Sequence, residues 1–80
     1  MFYVYVLQSD KDKTTYIGFT EDLRKRLAEH NSGKAKSVKH KLPLCLVYYE
    51  AYKDKTQARK RELELKNNRS KKEELYKRIF

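Results

Sequence analysis

The chain opens on a short apolar run, Phe2 to Leu7 (FYVYVL), β-branched and aromatic on both faces. Such a run predicts a strand buried on both sides at the centre of a sheet. Tyr3 and Tyr5 share one face of it, opposite Phe2, Val4 and Val6. Ser9 to Lys13 (SDKDK) reads as a polar turn, and Thr14 to Thr20 (TTYIGFT) as a second strand closing a hairpin. Gly18 interrupts that strand, and a strand glycine marks a bulge or a close approach to the backbone.

Helical spacing follows. Thr20 is expected to cap a helix, with Glu21 and Asp22 in the first turn, where negative charge suits the macrodipole. The helix runs to His30 or Asn31 and is stopped by Gly33. At about 100° per residue, Arg26 and His30 fall on or beside the stripe of Leu23 and Leu27, while Arg24 and Lys25 face water. Residues 34–42 (KAKSVKHKL) read as a basic loop with no acid.

Cys45 to Ala51 (CLVYYEA) then reads as a third strand. Tyr48, Tyr49 and Tyr52 are expected to pack in the core with hydrogen-bonded hydroxyls. Asp54 with Gln57, and Ser70 with Glu73, have capping-box spacing and open two more helices, the first ending near Asn67 or Asn68 and the second running through Phe80. Leu75, Ile79 and Phe80 are expected to seal the core. The order β-β-α-β-α-α predicts one α+β domain over residues 1–80, a small three-stranded sheet covered by helices.

Composition narrows the class. With 39% apolar and 39% charged residues among 80, the core is thin and rests on seven Tyr and three Phe. A single cysteine, Cys45, excludes an internal disulfide or a multi-cysteine zinc site. No apolar run approaches the roughly 20 residues that span a bilayer. The start, MFYVYVLQSD, lacks the basic region of a signal peptide. The expectation is a soluble cytoplasmic protein with no membrane partner.

Charge is unevenly spread. Residues 1–33 carry five basic and five acidic residues, whereas residues 34–80 carry 15 and six, and so the whole net charge of +9. A localised positive field favours a polyanion such as nucleic acid. The plainer alternative is a Lys-rich solvated surface.

Three side chains stand out on apolar stripes. Arg26 and His30 are neighbours four apart on the first helix. They read either as a snorkelling cation and a helix-terminal histidine, or as a site. Glu62 falls on the inward stripe of Ala58 and Leu65, with Glu64 turned to water. It reads as half of an internal salt bridge, or as a metal ligand or acid–base group in a basic cleft.

The ordered set Tyr3-Val4-Tyr5, Tyr16-Ile17-Gly18, Arg26, His30 and Glu62 resembles the GIY-YIG nuclease superfamily. The YIG triplet is literal, and the GIY triplet stands as YVY. The run YIGFTEDLRKRLAEHNSG, then LVYYE and A-x-x-R-E-x-x-L-K, is similar to stand-alone GIY-YIG proteins related to the N-terminal nuclease domain of the excision-repair protein UvrC.

The resemblance implies an antiparallel sheet flanked by helices and a metal-dependent endonuclease acting on DNA, with a place in repair or recombination. It implies that Tyr5 and Tyr16 organise or deprotonate the attacking water, that Arg26 holds the scissile phosphate and that His30 assists proton transfer. Glu62 would bind Mg²⁺ or Mn²⁺, and Gly18 would let the backbone approach the site. Lys34, Lys36, Lys39 and Lys41 would grip the DNA backbone without reading bases. Many active members carry an Asn in the stretch that is Glu74 to Lys77 here, which has none. The alternative is a catalytically weak or inactive basic nucleic-acid-binding module.

Overall fold

The computed structural model describes residues 1–33 and 36–80, with side chains in the second segment from residue 39 on. Strand β1 (Phe2–Ser9) lies at the centre of an antiparallel sheet, between β2 (Thr15–Thr20) and β3 (Leu44–Tyr52). Helix α1 (Leu23–Asn31) follows β2, and α2 (Lys55–Asn67) and α3 (Arg69–Ile79) follow β3. The expected β-β-α-β-α-α order and α+β class are those observed.

The central position explains why β1 is apolar on both faces. Val4 and Val6 pack with Ala58 and Leu65 of α2 and Leu75 of α3. Tyr5 and Leu7 face the other way, against Leu44 and the Leu23 and Leu27 side chains of α1. Fully burying an aliphatic side chain of this size contributes about 1.5–3 kcal/mol. Among the described residues, only Leu7, Leu65, Val4 and Val6 of the larger apolar side chains are completely enclosed.

Two polar anchors matter for the site. Asn31, the last residue of α1, both donates to the Leu44 carbonyl at 3.0 Å and accepts from the Leu44 amide at 2.8 Å. This ties the end of α1 to the start of β3. On the opposite face, Glu50 accepts from the Tyr48 hydroxyl at 2.6 Å, the Tyr52 hydroxyl and the Arg61 guanidinium at 3.0 Å. Burial acts to raise the Glu50 carboxyl, but bonds from Arg61 and the two tyrosines outweigh it and hold the group below the usual range. Burial, and then Glu50, push the Tyr52 phenol up to about 12.

Several local expectations are corrected. Asp22, not Thr20, caps α1, accepting from the Lys25 amide at 3.0 Å, so neither Glu21 nor Asp22 lies in its first turn. The Thr20 hydroxyl is taken by the Asp22 backbone. Asn68, not Ser70, caps α3, and its own amide closes α2 on the Glu64 carbonyl at 2.8 Å. Most of the expected basic loop is a short 3-10 helix, Lys36–Lys41. Tyr49 is not a core residue but 53% exposed, because it follows Tyr48 and points to the other face. Phe80 is 59% exposed and leaves Leu75 and Ile79 to meet the core. Among the described residues no helix is long and apolar enough to cross a membrane.

Candidate active site

The register of the hairpin assembles the site. Tyr5 stands opposite Gly18, and Leu7 opposite Tyr16, so both tyrosines and the glycine share one face. The Tyr5 ring leans across the strand: a Cβ added at Gly18 would lie 2.2 Å from its hydroxyl oxygen and 2.3 Å from Cζ. The close approach foreseen at Gly18 is thus made by the Tyr5 ring.

Helix α1 crosses this face and supplies two more groups. The His30 Nε2 lies 3.4 Å from the Tyr5 hydroxyl in a hydrogen bond whose polarity follows the imidazole tautomer. Its Nδ1 is buried without a hydrogen-bond partner. Arg26, one turn earlier, lines a small pocket together with Tyr5 and is exposed to an open groove of about 380 Å³. The groove also receives Lys25 from α1, Lys55 from α2 and Phe19 from β2.

The electrostatics follow from this packing. Burial raises the Tyr5 phenol above its ordinary value; Arg26 pulls it down, and the Glu62 charge pushes it up again. Burial, then the neighbouring Arg26, lower the His30 imidazole below its ordinary 6.5, with Glu29 pulling the other way. The pair therefore consists of a protonated phenol and a neutral imidazole near pH 7. A Tyr5 phenolate is not what this environment favours.

Glu62 sits on α2 between Ala58 and Leu65 and is only 6% exposed. Its Oε1 lies 3.4 Å from the Arg59 guanidinium, and its Oε2 accepts from the Lys66 ammonium at 3.0 Å. The carboxylate is within electrostatic reach of Tyr5. Among the described residues no three His, Cys, Asp or Glu side chains cluster to enclose a metal ion. A closed site of the zinc type is therefore not built from them. One carboxylate does fit a hard divalent ion that keeps its waters and takes phosphate oxygens as ligands.

Tyr5, Arg26 and His30 are thus brought together, while Glu62 stands apart on α2 with its charge acting on the Tyr5 phenol. Tyr16 lies on the same face, packed beside Leu7, with the Lys41 ammonium nearby. That ammonium pairs with Asp12 at 3.1 Å and donates to Thr14 at 3.2 Å. Lys41 is thus bound to two residues of the β1–β2 turn. Lys39 is exposed. Lys34 and the side chain of Lys36 lie outside the described residues. The groove cations Lys25 and Lys55, and the two cations on Glu62, were not singled out by the sequence reading. The i,i+3 and i,i+4 spacing of Arg59 and Lys66 around Glu62 could have revealed the latter pair.

The fold is a small three-stranded antiparallel sheet with three helices, of the α+β class. Residues 1–77 match the family model of the GIY-YIG catalytic domain, and the chain belongs to that nuclease family. UPF0213 protein SpyM50708 of Streptococcus pyogenes serotype M5 (strain Manfredo) is 45% identical over 74 residues, covering 91% of this chain and 79% of its own length. UPF0213 protein M28_Spy1146 of Streptococcus pyogenes serotype M28 (strain MGAS6180) matches to the same extent. No solved structure matches the chain.

Proposed function

We propose that this protein is a divalent-metal-dependent endonuclease that hydrolyses DNA phosphodiester bonds, with weak sequence preference and a place in repair or recombination. The observation that carries the reading is the convergence of Tyr5, His30 and Arg26 over Gly18, with the Glu62 carboxylate in electrostatic reach. Membership of a nuclease family gives that cluster its chemistry.

Arg26 is exposed to the groove and offers a planar fork of donors, permanently charged, to the phosphoryl oxygens. Charge gathers on those oxygens in the transition state, where a preoriented cation acts most strongly. The Tyr5 oxygen accepts a hydrogen bond from the attacking water while its own proton is directed at the His30 Nε2. A neutral imidazole can take that proton, and the lowered value of His30 keeps it neutral. Tyr16 offers a second hydroxyl on the same face as a water-positioning group. Glu62 would hold Mg²⁺ or Mn²⁺, which when bound would supply neutralisation of the charge that gathers in the transition state.

The decisive experiment incubates purified protein with supercoiled, branched and single-stranded DNA and either ion. The wild type is expected to nick, and Glu62→Ala and Arg26→Ala are expected not to. Nicking that survives both substitutions overturns the assignment. Salt-sensitive binding with no product makes the domain a binding module instead.

A further inference from the structure

The carboxylate of Glu62 is held by two cations of its own helix, and the two holds are unequal. Lys66 donates to Oε2 at 3.0 Å, whereas Arg59 approaches Oε1 only to 3.4 Å. The Arg59 side chain is 55% exposed, and its guanidinium lies 5.4 Å from the centroid of the Phe19 ring. Phe19 in turn lines the groove that contains Arg26. Arg59 therefore spans the distance between the buried carboxylate and the groove, with a cation–π perch that does not depend on Glu62.

A buried carboxylate needs a counter-charge, and here its own helix provides it. A divalent ion can reach Glu62 only by taking over at least one oxygen. The longer, more exposed contact is the one that yields. We infer that Arg59 is a resident counter-cation of Glu62 that a divalent ion displaces, and that the released guanidinium, kept over Phe19, binds a DNA phosphate beside Arg26. The inference rests on the reading of Glu62 as the ion-holding residue. Displacement also explains how one buried carboxylate can be held in place before any ion arrives.

The test is a titration of the protein with Mn²⁺, followed by electron paramagnetic resonance of the free ion, without DNA. Arg59→Gln is expected to tighten Mn²⁺ binding roughly two- to fivefold, the range of an exposed ion pair. Arg59→Lys keeps the charge and is expected to stay near the wild type. Glu62→Gln is expected to abolish binding. A second measurement uses a fluorescent phosphorothioate duplex in Mn²⁺, on which Arg59→Gln is expected to weaken binding and reduce the salt slope by about one. If Arg59→Gln leaves Mn²⁺ affinity unchanged or weakens it while Glu62→Gln still abolishes binding, the role given to Arg59 is wrong and Glu62 keeps its own. If Mn²⁺ binds equally well without the Glu62 carboxylate, the ion site itself is misplaced. If neither the wild type nor Arg59→Gln binds Mn²⁺, the displacement is refuted.

Discussion

The Tyr5 ring occupies the space that a side chain at position 18 would need: a Cβ on Gly18 would sit 2.2 Å from its hydroxyl oxygen. The obstacle is a phenol buried at the sheet centre and bonded to His30, so it has little freedom to retreat. Gly18→Ala is therefore expected to cost about 1–3 kcal/mol as an overpacked core does. For a domain of this size that is a fall in Tm of about 4–8 °C per kcal/mol. Cleavage should fall further than stability does, since Tyr5 is pushed off His30. Thermal denaturation and a nicking assay on the same sample separate the two effects. A variant as stable and active as the wild type would show that the ring can move.

The His30 imidazole gives a signed pH dependence. Its folded value lies below the ordinary 6.5, through burial and then Arg26. The unfolded chain therefore binds the extra proton first as pH falls, so this stabilisation is complete above 6.5 and is lost through the window below it. Denaturation midpoints at pH 7.5 and pH 5.5 are expected to differ less for His30→Gln than for the wild type. Nicking is expected to fail on the same acid limb.

The Glu50 cluster supplies a control remote from the chemistry. Glu50→Gln removes the charge that Tyr48, Tyr52 and Arg61 all address. Hydrogen bonds to charged groups carry about 1.5–3 kcal/mol, so a loss of about 1–3 kcal/mol of stability is expected. Glu50 lies on the face of the sheet turned away from Tyr5, and cleavage at low temperature should persist. Urea denaturation and nicking at 10 °C check both halves. Loss of activity with stability intact would place Glu50 in the site.

Much of this arrangement could be read from residue order, for definite reasons. The strand β1 announced itself because burial on both faces leaves no polar position, and Glu62 because a carboxylate between Ala58 and Leu65 has no other way to face. Caps were less legible. Thr20, Asp22, Asn68 and Ser70 all belong to the set of residues that cap helices, and only the path of the backbone decides which side chain reaches the open amides. Tyr49 was misread since apolar residues in succession do not say which one faces solvent at a sheet edge. The contacts of Lys41 within the protein were hidden for another reason. Its partners Asp12 and Thr14 sit in the β1–β2 turn, and nothing in local spacing links that turn to the approach to β3.

That last difference yields a prediction about DNA. Lys41 is engaged by Asp12 and Thr14, and bonds from Thr14, then pairing with Lys41, hold the Asp12 carboxyl well below the usual range. A lysine so engaged gains little by moving to a phosphate. Lys25 and Lys55 instead line the groove beside Arg26. Each phosphate contact contributes about one unit to the slope of log affinity against log salt. Lys25→Ala and Lys55→Ala are each expected to lower that slope by about one, and the double variant by about two. Lys41→Ala should leave the slope unchanged and lower thermal stability instead. Anisotropy of a labelled duplex between 50 and 200 mM salt, about the range over which such contacts weaken most visibly, makes the comparison. If the Lys41 variant alone lost the slope, the strand would run across the 3-10 helix and the α1–α2 groove would not be its path.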